Sequence, residues 1–61
     1  MSVVEEAIRH SILCSDVVTI DDPTTIDELR AVAEGFSDDI AGYDFWGKDA
    51  DGCSWRVHIE I

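Results

Sequence analysis

The stretch Asp49-Ala50-Asp51-Gly52 constrains this chain more than any other. It fits a type I turn with Gly52 in the left-handed position, the three-residue hairpin loop that carries a bulge. Such a loop pairs Asp49 with Cys53 and sets the register of both flanking runs. Phe45 then faces Val57, Tyr43 faces Ile59 and Gly47 lies opposite Trp55, while Trp46 meets Arg56 and Asp44 meets His58. A two-residue loop would set Phe45 against Arg56 and Tyr43 against His58 instead. Only the three-residue register sorts apolar and charged residues onto opposite faces, as a half-buried sheet requires.

Two helices precede the hairpin. Ser2 and Glu5 form a capping box, Glu5 and Glu6 sit where a helix dipole favours acids, and Val4, Ala7, Ile8 and Ile12 follow helical spacing to about Cys14. Thr25 and Glu28 form a second box. Ile26, Leu29, Ala33 and Phe36 line one face behind it, and Gly35 stands where a C-terminal cap belongs. Between the helices, Val17-Val18-Thr19-Ile20 is a β-branched run bounded by Asp16 and Asp21-Asp22-Pro23, a short strand ending in a turn.

These elements predict a single α+β domain over residues 1–61. It is a two-layer α-β-α-β-β arrangement, with two helices on a small three-stranded antiparallel sheet that ends in the hairpin. The inner sheet face carries Tyr43, Phe45, Cys53, Trp55, Val57 and Ile59. The open face carries Asp44, Trp46, Lys48, Ser54, Arg56, His58 and Glu60. With 61 residues, stability is expected to be marginal and a deep substrate cleft has no room.

Residues for chemistry are sparse. His10 and His58 are the only imidazoles, and a His58–Asp44 cross-strand pair has no nucleophile placed to complete a catalytic arrangement. Gly47-x-Asp49-x-Asp51-Gly52 is similar to the start of a calcium loop. However, Gly47 and His58 fall where the first and last carboxylates are needed. Gly47-Lys48 lacks the rest of a phosphate loop, and the cysteines and histidines have no zinc-finger spacing. Cys14 and Cys53 read as two buried thiols in a reducing compartment. The expectation is a non-enzyme with no cofactor and no metal.

Charge is the informative quantity. Four bases against fourteen acids give a net charge of −10, which repels nucleic acid and anionic lipid and directs the chain toward basic surfaces. No positive leader or spanning apolar run opens the sequence, so the expected setting is the cytoplasm, with a monomer favoured. Glu5, Glu6, Asp27 and Glu28 have local work at helix starts, and most other acids fall at turns, where Asp is at home.

Two functional readings of the excess follow. In the first, carboxylates imitate the phosphates of DNA. A globule of this size exposes roughly 4,000 Å², so evenly spread acids would lie roughly 17 Å apart, about twice the ~8 Å Debye length at physiological salt. Mimicry therefore requires clustering, for which Asp21/Asp22, Asp38/Asp39 and Asp49/Asp51 are the candidates. In the second, acidity adapts a small interaction domain to a halophile's cytoplasm. Asp outnumbers Glu nine to five and Lys48 is the only lysine, as that reading requires.

In size, two capped helices, C-terminal hairpin and acid excess, the chain resembles small anti-CRISPR proteins of phages and mobile elements, especially inhibitors of type I surveillance complexes. That family shares no sequence motif, so the resemblance implies a mode of action and no residue roles. It implies stoichiometric binding inhibition, with an acidic surface covering the site in a host bacterial cell where the complex reads the protospacer-adjacent motif or receives target DNA. From the residues themselves, Asp21, Asp22, Asp38, Asp39, Asp44, Asp49 and Asp51 are expected to bear the contact with a basic nucleic-acid-binding surface. Trp46 on the open face either adds apolar area to that contact, covers Arg56, or packs under the loop holding Ile40.

Overall fold

The computed structural model describes residues 2–61 and begins with helix α1, Val3–Cys14. Ser2 Oγ accepts the Glu5 N–H at 3.1 Å, and Glu5 and Glu6 fill the first turn. Val4, Ala7 and Ser11 are its buried positions. The helix ends in a tight reversal. Ser15 adopts a left-handed φ of 52°, its N–H reaches the Ile12 carbonyl, and the Asp16 N–H returns to the Ser11 carbonyl at 3.2 Å. Both bonds satisfy carbonyls that a helix end leaves unpaired. The chain thus passes directly into strand β1, Val17–Ile20, which runs back along α1.

Asp22 starts the next helical segment. Its Oδ1 accepts the Thr24 N–H at 3.0 Å and the Thr24 hydroxyl at 2.7 Å, capping a 3-10 turn over Pro23–Thr25 that leads into helix α2, Ile26–Val32. The expected Thr25–Glu28 box is corrected here. Thr25 makes no side-chain cap and instead donates its hydroxyl to the Asp22 carbonyl at 2.8 Å. Pro23, with φ already set for a helical turn, moves the start upstream.

The sheet differs from expectation in two respects, although the α+β class holds. Gly35 and Phe36 do not end α2; they open strand β2, Gly35–Asp38, paired antiparallel with β3, Gly42–Lys48. The sheet therefore has four strands, ordered β1-β4-β3-β2, with β4 spanning Ser54–Glu60. It is also mixed, because β1 pairs in parallel with β4. The return through α2, β2 and β3 carries the chain far enough to insert β4 beside β1 in the same direction. The hairpin register is as derived from the turn: Asp44 faces His58, Trp46 faces Arg56 and Gly47 faces Trp55. The Asp49 N–H bonds the Cys53 carbonyl at 3.0 Å, and Gly52 has φ 83°.

Both helices cover one face of this sheet. Val4 and Ala7 of α1 and Leu29 of α2 join Ile20, Phe45, Trp55, Val57 and Ile59 in a single buried cluster. The central strand β4 alternates cleanly, with Trp55, Val57 and Ile59 turned inward. The cysteines are the other correction, since both are exposed. Cys14 lies in the last turn of α1 beside exposed Leu13, and Cys53 closes the hairpin loop, outside the run of buried positions on β4. Among the described residues no helix is long and apolar enough to cross a membrane.

Candidate functional site

The topology sorts the acids. Strands β1, β2 and β4 run the same way, so their C-terminal ends meet at one end of the sheet. Asp21 follows Ile20, which pairs with Ile59; Glu60 pairs with Gly42; and the Asp39 N–H bonds the Gly42 carbonyl at 2.8 Å. Asp21, Glu60 and Asp39 therefore form a transverse row across the sheet, flanked by Asp22 and Asp38. Three strand spacings of about 4.8 Å make that row roughly 14 Å wide. Among the described residues none of these five carboxylates has a salt-bridge partner.

Asp49 and Asp51 are not part of this row. They occupy the β3–β4 hairpin at the opposite end, six residues along β4, or roughly 20 Å at strand rise. Of the candidate pairs, the fold brings Asp21/Asp22 and Asp38/Asp39 together and leaves Asp49/Asp51 apart. Glu60, placed on the open face from sequence but not counted as a contact residue, joins them. Its position between Asp21 and Asp39 depends on the parallel β1–β4 pairing, which no local pattern signals.

The open sheet face continues from this end. Thr19, His58, Asp44 and Ser37 form one row, and Val17, Arg56, Trp46 and Gly35 the row beyond it. His58 Nδ1 and Asp44 Oδ1 are 2.9 Å apart, the cross-strand pair expected from the register. Trp46 is 43% exposed. It neither packs under the fully exposed Ile40 nor makes a cation–π contact with Arg56 among the described residues. Its indole lies over Gly35, where an added Cβ would sit 2.7 Å from the ring. Lys48 and Arg56 flank it in a shallow depression that Glu34 and Ser54 complete. The stacked guanidinium is that of Arg30 on α2, 5.4 Å from the ring centroids of both Phe36 and Tyr43.

Several of these carboxylates also hold turns. Asp39 Oδ1 accepts the N–H groups of Ala41 at 2.8 Å and Gly42 at 2.7 Å. Asp49 Oδ1 accepts those of Asp51 and Cys53, and Asp16 Oδ1 accepts that of Val17. The two bonds from Thr24 hold the Asp22 carboxyl below the ordinary aspartate range. Comparison with protein-family models, with curated proteins and with solved structures found no match to this chain.

Proposed function

We propose that this protein acts by occupancy, seating the acidic end of its sheet in a basic groove built for nucleic-acid phosphates and so blocking it. The observation that carries this reading is the row Asp21–Glu60–Asp39 with Asp22 and Asp38 beside it, five carboxylates at one end of the sheet that have no cationic partner among the described residues. Neighbours in this row lie about 5–10 Å apart at the strand spacing, comparable with the ~8 Å Debye length, so the row acts on a partner as a joint field and steers association. Asp44 lies at the rim. Trp46, about 7 Å further along the open face at strand rise, supplies the apolar area that slows dissociation. Asp49 and Asp51 fall outside this contact.

The candidate target is the site on a type I CRISPR surveillance complex that reads the protospacer-adjacent motif or receives target DNA. The support is the resemblance in size, charge and architecture to anti-CRISPR inhibitors. The test is capture of an assembled complex by the tagged protein, with and without excess target DNA. Capture that DNA competes away, and that is lost in Asp21→Asn/Asp39→Asn but kept in Asp49→Asn/Asp51→Asn, is the expected result. Capture indifferent to DNA would move the contact off the nucleic-acid site. No capture would remove this target.

A further inference from the structure

One group of side chains near the acidic end is not simply acidic. Asp39, Asp44 and His58 come from the β2–β3 turn, β3 and β4, and one ligand atom of each lies within 4.8 Å of the other two. The paired acids at Asp21/Asp22 and Asp49/Asp51 bring no nitrogen donor; this group does. Two donors bound at about 2.1 Å lie about 3.0 Å apart at a right angle and about 3.4 Å apart at the tetrahedral angle zinc prefers. His58 Nδ1 and Asp44 Oδ1 already stand at 2.9 Å. The third donor lies within 4.8 Å of both, so side-chain rotation needs to bring it in by at most about 1.4–1.8 Å to reach that spacing.

The three side chains are also held in place. His58 and Asp44 face each other across central strands of the sheet. The histidine side chain is only 17% exposed, and Gly42 lies against it: a Cβ there would collide with the Ile59 carbonyl and come 3.2 Å from His58 Cε1. Asp39 has its Oδ1 fixed by two backbone N–H groups, which leaves Oδ2 for a ligand. Two carboxylates and a neutral imidazole carry a formal charge of −2, equal and opposite to that of a divalent cation.

We infer that Asp39, Asp44 and His58 form a three-ligand site for a first-row divalent transition-metal ion of the zinc class. The ion takes the place of the proton shared by Asp44 and His58. That proton moves to Nε2 of the neutral ring, and water completes the coordination. An imidazole in the donor set disfavours Mg²⁺ and Ca²⁺, which take oxygen ligands, and suits zinc and its neighbours. The spacing of Asp39, Asp44 and His58 in sequence gives no sign of this, since the ligands meet only through strand pairing and the turn. This inference does not rest on the proposed partner.

The test uses the full chain with Cys14→Ser and Cys53→Ser, because both thiols are exposed and would themselves take up zinc. Titration with Zn²⁺ by calorimetry is expected to show one ion per chain, undiminished by millimolar Mg²⁺. Asp44→Asn and His58→Asn should each weaken binding at least about tenfold. Asp39→Asn, which keeps the oxygen that accepts the turn N–H groups, should do the same, while Asp49→Asn/Asp51→Asn should leave it unchanged. A readout without ligand variants is the ring ¹⁵N spectrum, in which zinc should shift Nδ1 of His58 and leave His10 unmoved. Absence of saturable binding, equal loss in the hairpin variant, or an unmoved His58 resonance would each overturn the site.

Discussion

At the scale of single residues, the least conspicuous side chain carries a large share of the architecture. Ser11 is buried in α1, donates its hydroxyl to the Asp16 carbonyl at 2.7 Å and accepts the Arg56 N–H at 2.8 Å. It thereby joins the helix to the start of the parallel β1–β4 pair. Ser11→Ala leaves both backbone groups without that partner and should cost about 1–3 kcal/mol in urea unfolding. Asp22 makes a pH prediction. Its folded carboxyl is held below the ordinary range by Thr24, so its contribution is fully present above the unfolded value near pH 4 and is lost as pH falls through the lower folded value. Titration of the Asp22 carboxyl carbon by NMR should show a midpoint below the ordinary aspartate value, and Thr24→Val, which removes the hydroxyl bond but keeps the backbone one, should move it part of the way back. The same turn chemistry accounts for the excess of Asp over Glu. Asp16, Asp22, Asp39 and Asp49 each bond a backbone N–H within four residues, a reach that suits the shorter side chain. The ratio therefore has a local cause and is no argument for salt adaptation.

At the scale of elements, what was legible in the sequence divides by how local the cause is. The α1 cap, the hairpin loop and the whole β3–β4 register follow from residues within a few positions of one another, and the fold keeps them. The β2 strand was hidden because Gly35-Phe36-Ser37-Asp38 has only one apolar residue, and Phe36 also matches the helical spacing of Ile26 and Leu29. Its pairing is decided by β3, through contacts such as Phe36 on Phe45 at 5.5 Å between ring centroids. The parallel partner of β1, and with it the position of Glu60, depends on a crossover of more than thirty residues. Cys53 was misplaced because alternation was extended into the loop. Glycine packing yields a differential prediction. A Cβ at Gly47 would come 2.8 Å from the ring of Trp55, which is 2% exposed and cannot move without disturbing the core. At Gly35 the obstacle is the half-exposed Trp46, which has solvent to swing into. Gly47→Ala should therefore cost about 1–3 kcal/mol, as overpacking does, and Gly35→Ala under about 1 kcal/mol, both read from denaturant midpoints. Equal costs would mean that Trp46 is as firmly seated as Trp55.

At the scale of the whole molecule, the charge of −10 sits on 4089 Å² of surface, and its arrangement makes salt a probe of the proposed site. At 0.01 M salt the Debye length is about 30 Å, so the acidic row and the Asp49/Asp51 hairpin, roughly 20 Å apart, repel each other. At 0.15 M it is about 8 Å; the two ends no longer sense one another, but neighbours within the row, about 5–10 Å apart, still do. Added salt should thus raise the melting temperature in two stages. One comes below 0.15 M as the ends decouple, and the other continues toward 1 M as the row itself is screened. Relief of about 1 kcal/mol corresponds to a rise of about 4–8 °C in a domain of this size. Neutralising two carboxylates of the row, Asp21→Asn/Asp39→Asn, should remove most of the second stage and raise the melting temperature at 0.15 M more than Asp49→Asn/Asp51→Asn does. A fold that forms only in molar salt would instead assign the acids to solvation. Equal effects at the two ends would mean that the row is not an especially repulsive surface in the free protein. Those five carboxylates have no cationic partner among the described residues, so the size of the second stage measures the repulsion that a basic partner, as proposed, would relieve.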